Sequence, residues 1–147
     1  MRIRALIATA ACLFLVVSVS VQAQSGERTL MYSYQRDGQV VHIAFFDLPP
    51  GLPVCHIEDA RELPKSARDF EISKLEFDHI WSALTSSELK QFERKQGSSS
   101  EIETLNYYVF TTAYLPDGEK KMFVVPKDRA PKSVGELVRE IRAYNRD

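Results

Sequence analysis

Four stretches of the chain are rich in aromatic and β-branched residues that fall alternately on two faces, and this pattern predicts β-strands. The stretches are residues 29–36, 39–47, 102–115 and 120–125. Asp37-Gly38 lies between the first two and suits a type I′ turn, in which both central residues need positive φ. Pro116-Asp117-Gly118 lies between the last two, where proline presets φ and glycine accepts a positive value. The pattern therefore predicts two β-hairpins.

A spacing near 3.6 residues follows each hairpin and predicts an amphipathic helix. The apolar residues fall at i, i+3, i+4 and i+7: Phe77, Ile80, Trp81 and Leu84 in one set, Val134, Leu137, Val138 and Ile141 in the other. Ser73 and Glu76 match a capping box, in which each side chain satisfies a free backbone N–H group. The same spacing recurs at Thr85–Glu88 and Ser133–Glu136, so we expect a kink or a further helix after Leu84.

This order of elements predicts an α+β fold. We expect a four-stranded antiparallel sheet of two β-hairpins, with two or three helices packed on one face, in the order ββα(α)ββα. Residues 48–69 show no clear period and are interpreted as a long connection that carries function or hides a short strand. Phe70-Glu71-Ile72 is the candidate for such a strand. The order of the strands within the sheet stays open.

The first 23 residues have the features of a secretory signal peptide. Arg2 and Arg4 precede an uncharged run, Ala5–Val21, and Val21-Gln22-Ala23 offers small or aliphatic residues for cleavage. We predict cleavage after Ala23. An uncleaved anchor is the alternative, because the 17-residue run is close to the shortest membrane-spanning helix. A lipoprotein signal is disfavoured, since Cys12 lies in the middle of the run.

Removal of residues 1–23 leaves residues 24–147, which is enough chain for a single α+β domain. The full chain has a net charge of −1; without Arg2 and Arg4 the mature chain has 17 basic and 20 acidic residues, a net charge of −3. Both signs are spread along the sequence, so a nucleic-acid partner is not expected. No second apolar run could span a membrane, and no membrane contact is expected after cleavage. The predicted location is the periplasm or the extracellular medium.

The mature chain keeps one cysteine, Cys55, so it has no intramolecular disulfide and could link only to a second copy. Cys55-His56 are weak candidates for a nucleophile and its base, because adjacent residues in an extended chain point apart. His42 or His79 would have to supply the base through the fold. No metal-binding spacing of Cys and His occurs, and no phosphate-binding glycine loop or nucleophile elbow is present. We therefore predict no metal, no cofactor and no assigned catalytic residue.

The missing catalytic motifs favour a small exported non-catalytic binding module, such as an inhibitor, an immunity-type protein or an accessory protein. The expected partner is another protein, and a homo-oligomer remains open. Phe45-Phe46 and Tyr107-Tyr108 must point to both faces of the sheet, so aromatic side chains are expected opposite the helices, where exposed aromatic patches mark binding sites. Two alternatives remain: a small enzyme that uses Cys55 with a nearby His, or a small-ligand carrier with a pocket between sheet and helices.

Overall fold

The computed structural model of the chain describes residues 26–60, 66–94, 100–115 and 118–146. The predicted signal peptide, residues 1–23, lies outside the described residues, as do Pro116 and Asp117 of the second predicted turn. Within the described part, no helix is both long and apolar enough to cross a membrane.

The described elements are seven strands and three helices. The strands are β1 (Glu27–Arg36), β2 (Gln39–Asp47), β3 (Val54–Asp59), β4 (Ser66–Glu71), β5 (Glu93–Arg94), β6 (Tyr107–Leu115) and β7 (Lys120–Pro126). The helices are α1 (Lys74–Leu84), α2 (Ser87–Lys90) and α3 (Lys132–Ala143).

All seven strands form one sheet in the order β4-β3-β2-β1-β6-β7-β5, and every neighbouring pair is antiparallel. The predicted four-stranded sheet was therefore wrong, although both hairpins and the α+β character are present. The region interpreted as a connection holds β3 and β4. In β3 the side chains of Cys55, Ile57 and the buried Asp59 point to the core face, so only two of the inward positions are apolar, and His56 and Glu58 alternate with them. Two apolar positions are too few to establish a period in a sequence, and β5 has only two residues.

The first hairpin has the predicted turn, with Asp37 at φ 53° and Gly38 at φ 75°. The third long strand starts later than predicted, at Tyr107 instead of residue 102. The chain before it turns back, because the Tyr107 carbonyl accepts a hydrogen bond from the Thr104 N–H at 3.0 Å. The Glu103 N–H donates to the Ser33 carbonyl of β1 at 2.8 Å. The segment before β6 is thus attached to the end of the central strand.

One predicted capping box is present and two are absent. At α1 the Glu76 N–H donates to Ser73 Oγ at 3.1 Å, and the Ser73 N–H donates to the Glu76 carboxylate at 2.8 Å. Thr85 instead ends α1, where its hydroxyl donates to the Trp81 carbonyl. Ser133 lies inside the first turn of α3 and its hydroxyl donates to Glu88 at 3.2 Å. The Ser-x-x-Glu spacing alone did not fix where these helices begin.

The core lies between one face of the sheet and the helices. Tyr32, Phe45 and Phe110 project from this face and are fully buried. Helices α1 and α3 add their predicted apolar residues to the same buried cluster: Phe77, Ile80, Trp81, Leu84, Val134, Leu137, Val138 and Ile141. On the opposite face Phe46 is half-buried and Tyr107 is 41% exposed. Aromatic residues therefore occupy both faces, as the adjacent pairs require.

Candidate functional site

Cys55 lies in the core and not in a cleft. Its side chain points to the helix-covered face from β3 and is completely buried. Burial is the main influence on its thiol and raises the pKa to about 12. The thiol therefore stays protonated at neutral pH, whereas a nucleophilic cysteine needs an environment that favours the thiolate.

The three histidines have other partners. His56 lies on the opposite face from Cys55 and its Nδ1 is 2.5 Å from the Asp69 carboxylate. This hydrogen bond raises the pKa of His56 above 6.5, against a smaller opposing effect of burial. His42 Nδ1 is 2.7 Å from Ser33 Oγ, and His79 Nε2 is 3.2 Å from the Glu140 carboxylate. The fold does not bring these predicted candidates together as a nucleophile and base.

Metal-binding side chains also remain dispersed. Among the described residues, no three or more His, Cys, Asp or Glu side chains converge in a way that could hold a metal ion.

Three clefts share Lys127, the residue that directly follows β7. One cleft, of about 540 Å³, lies against α3 and is walled by Tyr108 and Arg142. A second, of about 530 Å³, lies along the segment before β6. A third, of about 430 Å³, lies against residues 126–129. We call the surface formed by these clefts and by Leu105, which lines the second and third, the Lys127 surface.

Glu103 organises the centre of this surface. Its side chain is only 7% exposed, and its carboxylate accepts hydrogen bonds from Lys127 Nζ at 2.5 Å, from Arg142 Nη2 at 2.6 Å and from the Tyr32 hydroxyl. The Arg142 guanidinium also lies 4.4 Å from the ring centre of Tyr34, a cation–π contact. Two cations thus share one carboxylate, which leaves an excess of positive charge in the cleft wall.

Helix α3 adds two more cations to the same cleft. Lys132 is 90% exposed, and among the described residues its ion-pair partner is Glu136, at 3.6 Å. Arg139 is exposed, and no hydrogen bond or ion pair links it to another described residue. Exposed pairs such as Lys132–Glu136 contribute little to stability. The charges of Lys132 and Arg139 are therefore available to an external ligand.

An apolar side chain stands beside this positive region. Leu105 is 89% exposed, the highest value among the exposed large hydrophobic residues described, and Tyr107 next to it is 41% exposed. An exposed leucine by itself is ordinary. Its position between two clefts and beside a set of cations is what distinguishes it from the others.

Sequence reasoning missed this surface. It placed Leu105 within the strand predicted over residues 102–115 and named no basic residue of the last helix as part of a site. The density of basic residues from Lys127 to Arg142 was a visible signal. The contribution of Glu103 was not visible, because the turn at residues 104–107 brings it to Arg142.

Comparison with protein-family models, curated proteins and solved structures finds no match to this chain. The chemistry of the Lys127 surface is therefore the basis for a functional assignment.

Proposed function

We propose that the chain is a small exported, non-catalytic binding module that binds another protein through the Lys127 surface. The observation that carries the proposal is the junction of three clefts at Lys127, with Leu105 exposed between two of them. The predicted signal peptide supports a periplasmic or secreted location.

The composition of this surface agrees with protein interfaces. Such interfaces combine a few apolar or aromatic anchors with a polar rim, and arginine is enriched in them. Leu105 and Tyr107 supply the apolar side chains, while Lys127, Arg139 and Arg142 supply the charged ones. Burial of Leu105 by a partner would remove apolar area from water, the main favourable contribution to association.

A binding role also fits the positions of the reactive groups. The thiol of Cys55 is buried, and each histidine is engaged with a neighbouring side chain. Neither Cys55 nor any of the three histidines lines a cleft of the Lys127 surface. The enzyme alternative therefore lacks a specific observation in its favour.

The proposal is tested by capture from the exported fraction of the producing cells, with the mature protein as bait. Leu105→Asp is compared with Leu75→Asp, because Leu75 is also exposed, at 80%, but lies at the start of α1 and lines none of the three clefts. We expect saturable capture of a partner that Leu105→Asp abolishes and Leu75→Asp preserves. Equal capture by both variants, or the absence of saturable capture, would contradict the proposal.

Export is tested separately by the intact mass of the protein recovered outside the cytoplasm. A mass that begins at Gln24 is expected. A mass that still includes Met1 would exclude cleavage after Ala23.

A further inference from the structure

We infer that the α3 cleft of the Lys127 surface binds an acidic, extended segment of a polypeptide, an inference that rests on the proposed function and names the chemistry of its partner. The α3 cleft is the one bounded by α3, Tyr108 and Lys127. Its recognition elements are a row of cations, a gap in the helix face and a charge opposite to that of the rest of the mature chain.

The cations form a row because of their spacing. Lys132, Arg139 and Arg142 follow one another at seven and three residues, so they occupy one side of α3. At a rise of about 1.5 Å per residue, the row is about 15 Å long. An extended peptide rises about 3.3 Å per residue, so four or five of its residues match this length.

The charge of the cleft contrasts with the body that carries it. Four cations and one acid, Glu103, line the cleft, whereas the mature chain has 17 basic and 20 acidic residues. Electrostatic attraction at such a site favours an anionic partner and directs its approach. Carboxylates suit arginine in particular, because the guanidinium donates two parallel hydrogen bonds to them.

Gly135 keeps the cleft open between these cations. It lines the cleft, and a Cβ added to it would meet no atom within 4 Å. Glycine inside a helix is less stable than alanine. No neighbouring atom would clash with an alanine side chain at Gly135. The glycine therefore leaves a gap in the helix surface on the side that carries the cations. The backbone of an extended peptide could approach α3 at this point.

The test uses fluorescein-labelled decaglutamate with the purified mature protein, and anisotropy as the readout. Binding is expected to weaken as salt is added, because exposed charges are screened. Decaglutamine, an uncharged peptide of the same length, should not bind. The variant Arg139→Glu should lower the affinity roughly fivefold or more, since it replaces an attraction with a repulsion.

Three variants separate the cleft from general effects of charge and folding. Arg94→Glu makes the same charge change at an exposed residue of edge strand β5 and should leave the affinity unchanged. Gly135→Leu fills the gap and should abolish binding with the helical circular dichroism intact, whereas Gly135→Ala should retain it. Equal losses for Arg94→Glu and Arg139→Glu, or unchanged binding by Gly135→Leu, would overturn the inference.

Other anions decide which class of partner the cleft recognises. Stronger binding to phosphatidylglycerol vesicles or to a single-stranded oligonucleotide than to decaglutamate would overturn the acidic-polypeptide assignment. Loss of a captured protein by Leu105→Asp without any decaglutamate binding would sustain the proposed function and refute this inference. Decaglutamate binding without a saturable protein partner would support the acidic ligand and refute the proposed function.

Discussion

Two buried carboxylates, at opposite ends of β1, show how similar ion pairs serve different purposes. Asp47 is 3% exposed and binds Arg28 at 2.6 Å and Lys74 at 2.9 Å. Glu103 is 7% exposed and binds Lys127 at 2.5 Å and Arg142 at 2.6 Å. Each carboxylate therefore joins cations from two separate parts of the chain.

The two clusters differ in their charge balance. Asp78 accepts hydrogen bonds from Arg28 at 2.7 Å and from Lys74 at 2.8 Å, so the Asp47 cluster has two acids for two cations. The Glu103 cluster has one acid for two cations, with Arg139 and Lys132 lining the same cleft. The Asp47 cluster connects β1, β2 and α1, and its charges neutralise each other without an external ligand. A cluster with more cations than acids, such as the Glu103 cluster, interacts favourably with an anionic ligand.

Arg28 of the Asp47 cluster is also more tightly packed than the cations of the Glu103 cluster, whereas Lys74 is 50% exposed. The Arg28 guanidinium lies over Phe77 at 4.8 Å and over Trp81 at 5.2 Å from the ring centres, and its side chain is 17% exposed. The side chains of Lys127 and Arg142 are 29% and 39% exposed. Water therefore reaches the cations of the Glu103 cluster more easily than it reaches Arg28.

The largest expected effect is the loss of stability in Asp47→Asn. The substitution keeps the shape of the side chain and leaves Arg28, confined by its aromatic neighbours, without its buried counter-charge. We expect the free energy of unfolding, measured in urea, to fall by about 3 kcal/mol. The control Asp78→Asn changes a carboxylate that is 45% exposed, and it should cost less than about 1 kcal/mol. Equal losses in the two variants would contradict the structural role assigned to Asp47.

The second effect is smaller and concerns the other cluster. Glu103→Gln should lower the free energy of unfolding by about 2 kcal/mol, because Lys127 and Arg142 lose a charged acceptor but still reach water. The same urea titration measures it. If Glu103→Gln lowered the free energy of unfolding by more than Asp47→Asn does, the claim that the Asp47 cluster contributes more to stability would be wrong.

The pH dependence of stability sharpens the role of Asp47. Burial, the largest single influence, raises the pKa of Asp47, but hydrogen bonds from Lys74 and Arg28 outweigh it and hold the pKa below 3.8. A carboxyl group whose pKa is lower in the folded state than in the unfolded state stabilises the fold. This stabilisation is fully present when the pH is above the pKa of the unfolded state, and it is lost as the pH falls through the pKa of the folded state.

The stability difference between the original chain and Asp47→Asn should therefore be constant near neutral pH and shrink below a pH of about 4. Urea titrations across the acidic range measure this difference. A difference that stays unchanged in strong acid would show that the charge of Asp47 is not the source of its contribution.

The smallest effect concerns the helix beside the Glu103 cluster. Gly135→Ala should raise the free energy of unfolding by up to about 1 kcal/mol, because alanine favours the helix and its Cβ meets no neighbour. Gly38→Ala is the matched control, since Gly38 has a φ of +75° that alanine adopts only with strain. It should lower the thermal midpoint where Gly135→Ala raises it. A decrease in both would show that the α3 cleft is not open at Gly135.

Sequence patterns predicted the parts of the fold that depend on local preferences. Asp37-Gly38 specified the first turn because few residues accept positive φ, and Ser73 with Glu76 specified the start of α1. The same Ser-x-x-Glu spacing was misleading at Ser133. There α3 begins at Lys132, two residues before the start that a capping box at Ser133 implies, and the serine hydroxyl donates to Glu88 of α2. A capping pattern spans four neighbouring residues, but residues far away in the sequence can compete for the hydrogen bonds of its side chains.

The candidate site was least accessible to prediction. Cys55 was visible in the sequence as a reactive residue type, yet the raised pKa of its thiol comes mainly from burial. That burial depends on the packed sheet, in which Phe45 and Phe70 lie opposite Cys55 on the neighbouring strands. Glu103 and Arg142 are separated by 39 residues. Neither residue has a pattern around it that identifies the other, since an ion pair across the fold imposes no period on the chain.

The sequence by itself determined the two hairpins, the faces of α1 and α3, and the net charge of −1 of the full chain, because each follows from residue types and their spacing. Tertiary structure alone decided that β3 and β4 extend the sheet, that Cys55 is buried, and that the cations of β7 and α3 meet around one carboxylate. Those outcomes depend on backbone pairing and contacts between distant residues. Such contacts are selected by the free energy of the whole packed structure and leave no local signature.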